Sequence, residues 1–145
     1  MEISRQIDRR IEQEIGGLLD ALVAAWNAGD ATAYAELFTE DADYVTFFGL
    51  HMTGRRAIEE SHRALFAGPL RGSRIGFEPG TESGGGARIR ALGPGVAVVV
   101  AKGGSTLDGR QAPDPSRDSV ITLTAVRGAE GWRFASFQNT RVGTA

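Results

Sequence analysis

Residues 26–66 read WNAGDATAYAELFTEDADYVTFFGLHMTGRRAIEESHRALF. The segment parses as the end of one helix, a short second helix, a strand, a tight reversal and a third helix. Gly29 suits the left-handed residue that closes a helix, and Asp30 is placed to cap the next one. From Asp41 and Asp43 the composition turns to β-formers: Tyr44, Val45, Thr46, Phe47 and Phe48. Gly49 breaks that run, and Thr53-Gly54 restart a helix. Its Ile58, His62, Leu65 and Phe66 fall at i, i+4, i+7 and i+8, with Glu59, Glu60 and Arg63 on the other side. His62 is the one polar residue on that apolar stripe.

Upstream, Ile3, Ile7, Ile11 and Ile15 repeat every fourth residue, and Leu18, Leu19, Leu22, Val23 and Trp26 continue the stripe. One helix over 3–28 follows. Gly16-Gly17 lies inside it, at about 1 kcal/mol per glycine, and marks an expected weak point. Residues 31–38 are expected to form two helical turns that offer Tyr34, Leu37 and Phe38 for burial.

Downstream, Gly68-Pro69 ends helical structure. Strands are expected at 73–78, 87–92, 96–101, 118–127 and 132–141. Loops are expected at 79–86 and 108–116, and tight turns at 93–95 and 128–131. The apolar run Val96–Ala101 suggests a central strand covered on both faces. Helices gather early in the chain and strands late. The order predicts a single α+β domain over 1–145, a curved antiparallel sheet wrapped around three N-terminal helices as a cone. The mouth of such a cone is a natural ligand site.

Composition narrows the function. The chain has 145 residues and 41% hydrophobic content, enough for one core. Its net charge of −2 gives no footprint for nucleic acid. No run is long and apolar enough to span a membrane, and the charged start MEISRQIDRR is not a signal peptide. These features predict a cytoplasmic protein. With no cysteine, disulfides, thiolate metal sites and a cysteine nucleophile are excluded. His51 and His62 are not spaced as a metal pair. GGG at 84–86 lacks the context of a phosphate loop, and there is no GxGxxG after a strand. No metal, flavin, haem or other cofactor is expected.

The ordered combination of GD, FTEDADY, TGRRAI and GWRF resembles the nuclear-transport-factor-2-like superfamily, which includes SnoaL-like cyclases and ketosteroid isomerases. The likeness covers residues 17–142. Within it, DADYVTF, ESHRALF, VAVVVAKGG and GWRFASFQNTR are most similar to the SgcJ/EcaC family, encoded in actinomycete gene clusters for enediyne antibiotics. The resemblance implies a cone fold and a small-molecule cavity. It also tests one activity. The positions that match the isomerases' helix tyrosine, strand aspartate and oxyanion-holding acid are Leu22, Thr46 and Leu123, so steroid isomerisation is excluded. Where those enzymes carry a supporting tyrosine on the third helix, this chain has His62.

The candidate catalytic residues are therefore His62, as general acid or base, and Tyr44, as a hydrogen-bond donor to a carbonyl or enolate. The resemblance turns Tyr44, Thr46 and Phe48 inward. Period-two alternation on the last strand places Trp132, Phe134, Ser136, Gln138 and Thr140 on one face, aiming Gln138 into the cavity and Phe137 outward. Trp26 and Phe66 are expected as pocket walls. The expected ligand is a small apolar polyene or polyketide-derived intermediate, undergoing proton transfer or cyclisation. The alternative is a non-catalytic binding or chaperone-like protein that holds such an intermediate or docks on a synthase. An uncovered apolar outer sheet face, with Phe137 on it, predicts a homodimer.

Overall fold

The computed structural model describes residues 2–77, 87–107 and 115–143. The expected loop at 79–86 lies outside these residues, as does most of that at 108–116. Helix α1, Glu2–Asn27, runs unbroken through Gly16 and Gly17. Ile11, Ile15, Leu19 and Leu22 are buried, whereas Ile3 and Ile7 are exposed, so its first turns extend past the core. Gly29 takes φ +66° and ends the helix. The Asp30 side chain accepts from Ala33 N at 3.0 Å and caps α2, Ala31–Ala35. This helix is one turn shorter than the pattern suggests, because Phe38 already belongs to strand β1, Phe38–Val45.

A three-residue strand β2, His51–Thr53, folds back on β1. Such a short segment carries no β signal of its own and exists through its pairing. Helix α3, Arg55–Ala67, follows. Arg55 is fixed by donating twice, from Nε and Nη2, to the Phe38 carbonyl at 2.9 and 2.7 Å. Strands β3 (Arg74–Phe77), β4 (Ala87–Gly93), β5 (Val96–Thr106), β6 (Ser119–Gly128) and β7 (Gly131–Arg141) complete the sheet, with a short 3-10 helix at Pro115–Arg117. The order is β2-β1-β7-β6-β5-β3, with β4 also paired to β5. All pairings are antiparallel except β1 with β7, which run parallel.

The fold is the expected α+β cone, with a curved, unclosed sheet and few helices. Its core lies between α1, α3 and the inner sheet face, around Leu22, Tyr34, Phe38, Ile58, Val99, Leu123 and Phe134. Two expectations are corrected. Strand β5 is central but covered on one face only: Ala97, Val99 and Ala101 are buried, whereas Val100 stands 38% exposed on the opposite face. Strand β7 does not alternate throughout. Thr124 pairs with Ser136 but Ala125 pairs with Phe134. Ala135 is thus an extra residue, a β-bulge that shifts the facing of everything after it. Phe134 and Phe137 both point inward and are buried. Phe137 is core and, contrary to expectation, adds nothing to the outer face.

Candidate functional site

Three elements bring three polar side chains to one buried point. Tyr34 comes from α2, Tyr44 from β1 and His62 from α3. Each is at most 3% exposed. Tyr34 Oη lies 2.8 Å from Tyr44 Oη, and Tyr44 Oη lies 3.1 Å from His62 Nε2. His62 Nδ1 lies 2.7 Å from the Ile58 carbonyl one turn back.

Proton counting fixes the direction of this chain. A carbonyl only accepts, so Nδ1 carries the imidazole hydrogen. Burial lowers the His62 pKa to about 4, while its bond to the Ile58 carbonyl opposes the shift. The ring is therefore neutral at pH 7, and Nε2 is a bare acceptor. Tyr44 donates to it, and Tyr34 donates to Tyr44. Burial raises both phenols well above their usual value. Burial thus moves the two groups in opposite directions, the phenol up and the imidazole down, and both shifts keep the proton on Tyr44. The chain rests neutral, with every hydrogen used internally.

Aromatic rings enclose the chain. Trp26 meets Tyr34, His62 and Phe66 edge-on, with centroids 5.1–5.7 Å away. Its indole Nε1 donates to Ser73 Oγ at 3.0 Å, which fixes its tilt. Tyr44 stacks on Phe137 at 4.1 Å with planes 6° apart. Phe66 also borders an open depression of about 550 Å³, together with Gly29, Asp30, Thr32 and Arg63.

The structure thus joins Tyr44 and His62, with Trp26 and Phe66 packed around them. It keeps three other candidates away. Strand β1 ends at Val45, so alternation does not carry inward past it. Thr46 Oγ1 accepts from Leu50 N at 3.1 Å and latches the β1–β2 turn. Phe48 stands at the tip of that turn, 68% exposed. Gln138 is exposed on the outer sheet face, opposite Thr122, because of the bulge. The sequence reading missed Tyr34 as a polar participant. Its signal was present: a tyrosine on a buried helical face needs a partner for its hydroxyl, and the chain has only two tyrosines. Leu22 and Leu123, at the positions of isomerase catalytic groups, are fully buried core.

Among the described residues, no three His, Asp or Glu side chains are grouped to hold a metal, and no helix is long and apolar enough to cross a membrane.

The sequence profile of the SnoaL-like domain matches residues 9–138. No curated protein sequence matches the chain. Several solved structures do. An uncharacterised protein with a cystatin-like fold from Caulobacter vibrioides is 31% identical, with a TM-score of 0.73, over 91% of this chain and 89% of that one. A domain of unknown function with a cystatin-like fold from Nostoc punctiforme is 29% identical, with a TM-score of 0.81, over 92% of this chain and 78% of that one. An NTF2-like protein from Novosphingobium aromaticivorans is 24% identical, with a TM-score of 0.74, over 99% of this chain and 88% of that one.

Proposed function

The chain belongs to the SnoaL-like domain family, and from that membership we propose that it holds a small, largely apolar molecule inside its cone. The place is the end of the cone where the α1 C-terminus, α3 and the inner sheet face converge. The observation that carries this reading is the closed Tyr34–Tyr44–His62 chain, walled by the rings of Trp26, Phe66 and Phe137. A site whose polar groups satisfy one another presents aromatic surface to a guest. The guest class follows the resemblance of DADYVTF, ESHRALF and GWRFASFQNTR to the SgcJ/EcaC family: a polyene or polyketide-derived intermediate of enediyne-type antibiotic biosynthesis. Holding or chaperoning such an intermediate fits the neutral chain better than proton transfer does.

One observation favours a catalytic reading. His62 Nε2 is unprotonated and within hydrogen-bond reach of Tyr44, so a guest that accepts the Tyr44 proton leaves a base beside it. The opposite directions in which burial moves the two groups weigh against it.

The acting unit is proposed to be a homodimer through the outer sheet face. Val45, Val98, Val100, Val120 and Val126 lie on this face, and among the described residues no α-helix covers it. Asp43 stands at its β1 side, and Arg88 and Arg90 at its β4 side, all exposed. A twofold axis parallel to the central strands sets each acidic side against the partner's basic side.

The binding claim is tested with dilute 2-methoxynaphthalene, a fluorescent apolar probe, titrated with protein. Its anisotropy is expected to rise to saturation with a Kd on the order of 0.1 mM, as suits a dozen non-hydrogen atoms. A response that stays linear and unsaturated overturns the claim.

A further inference from the structure

Among the described residues, two buried side-chain atoms lack any hydrogen-bond partner within the protein: Arg133 Nε and Asn139 Oδ1. Arg133 pairs with Val126 on the outer face and donates from Nη1 to the Trp132 carbonyl. Asn139 is different. It lies two residues beyond Phe137, which stacks inward on Tyr44, and it pairs with Ile121, which packs against the core. With no second bulge between them, Asn139 shares the inner face.

Its position along the sheet is equally defined. Ser119 pairs with Arg141, Gly103 with Ser119, and Ser105 with Ile75. Asn139 therefore lies at the sheet end that carries Ile75. The last turn of α1 docks on that end: Asn27 Oδ1 accepts from Ile75 N at 2.7 Å, and Trp26 bonds Ser73. The end of the cone that holds the tyrosine–histidine chain thus also holds an inward acceptor with no donor. A buried acceptor without a partner is costly, and native structures keep few of them. The neighbouring network cannot supply the donor, because each of its hydrogens is already committed.

We infer that Asn139 is a ligand-orienting residue whose Oδ1 accepts a hydrogen bond from a hydroxyl on the bound molecule. The inference rests on the proposed binding of an apolar guest and narrows its class to an aromatic or polyene body that carries a hydroxyl donor. The Tyr34 and Tyr44 oxygens keep lone pairs but no free hydrogen, so the whole site discriminates for donors and against acceptor-only guests.

The test compares 2-naphthol with 2-methoxynaphthalene, both dilute and titrated with protein. 2-Naphthol is expected to bind about tenfold more tightly, the worth of one well-made hydrogen bond. Asn139→Leu is expected to reduce that ratio to about one, whatever its effect on the affinity for 2-methoxynaphthalene itself. Asn139→Ala, with the same expectation, serves if the leucine variant does not fold. A ratio near one in the unaltered protein overturns the inference and leaves the apolar-holding reading standing. So does a tenfold ratio that survives in both variants. Saturable binding of neither probe overturns both.

Discussion

Tyr44 and His62, eighteen residues apart in sequence, meet at 3.1 Å between Oη and Nε2. The contact is one link of a chain in which the Tyr34 hydroxyl donates to Tyr44 and the Tyr44 hydroxyl to His62. Removing the middle hydroxyl therefore strands two partners. Tyr44→Phe leaves His62 Nε2 without a donor and the Tyr34 hydroxyl without an acceptor, both buried. The expected loss is about 2–4 kcal/mol of unfolding free energy in urea titrations. A loss below about 0.5 kcal/mol would mean that water or another group replaces the hydroxyl.

Stability should also report His62. Its pKa falls from 6.5 in the unfolded chain to about 4 in the fold. Between these values the unfolded state binds the extra proton. Stability from this group is therefore fully present above about pH 6.5 and declines as pH falls toward 4. The full span is worth about 3 kcal/mol. His62→Gln removes this dependence, so the stability gap between parent and variant should narrow by about 2 kcal/mol from pH 7 to about pH 4.5. Parallel pH profiles for the two proteins would refute the assignment.

The outer face gives a prediction about assembly. Sedimentation equilibrium should return twice the 15.4 kDa chain mass at micromolar concentration. Val98→Glu with Val100→Glu places two carboxylates in the middle of the face and should yield monomer without loss of the inner core. A monomeric parent protein refutes the dimer. A dimer that survives the double substitution places its contact elsewhere.

Helix positions, and the place of His62 on the i, i+4 stripe of α3, were legible because they rest on local periodicity; the inward facing of Tyr44 was legible only through the family resemblance, since both faces of β1 carry apolar residues. What was not legible depends on pairing. Ala135 inserts one residue into β7, which turns Phe137 and Asn139 inward and Gln138 outward. Period-two counting has no access to that shift. Strand β1 ends one residue before Thr46, so the turn, not the cavity, claims Thr46 and Phe48. The parallel contact of β1 with β7 joins distant parts of the chain and leaves no local mark. Likewise, Val96–Ala101 looks buried on both sides, whereas its outer valines face away from the monomer's core.

Tyr34, Tyr44 and His62 are thus read as a neutral, internally closed network that shapes a binding site and does not move protons. Imidazole nitrogen NMR of isotope-labelled protein reads this directly, free and with 2-naphthol bound. His62 is expected to carry its hydrogen on Nδ1, with Nε2 bare, and to show no titration from about pH 8 to about pH 5. A hydrogen on Nε2, a midpoint near neutrality, or conversion to imidazolium when the probe binds would contradict it and make His62 an acid–base catalyst.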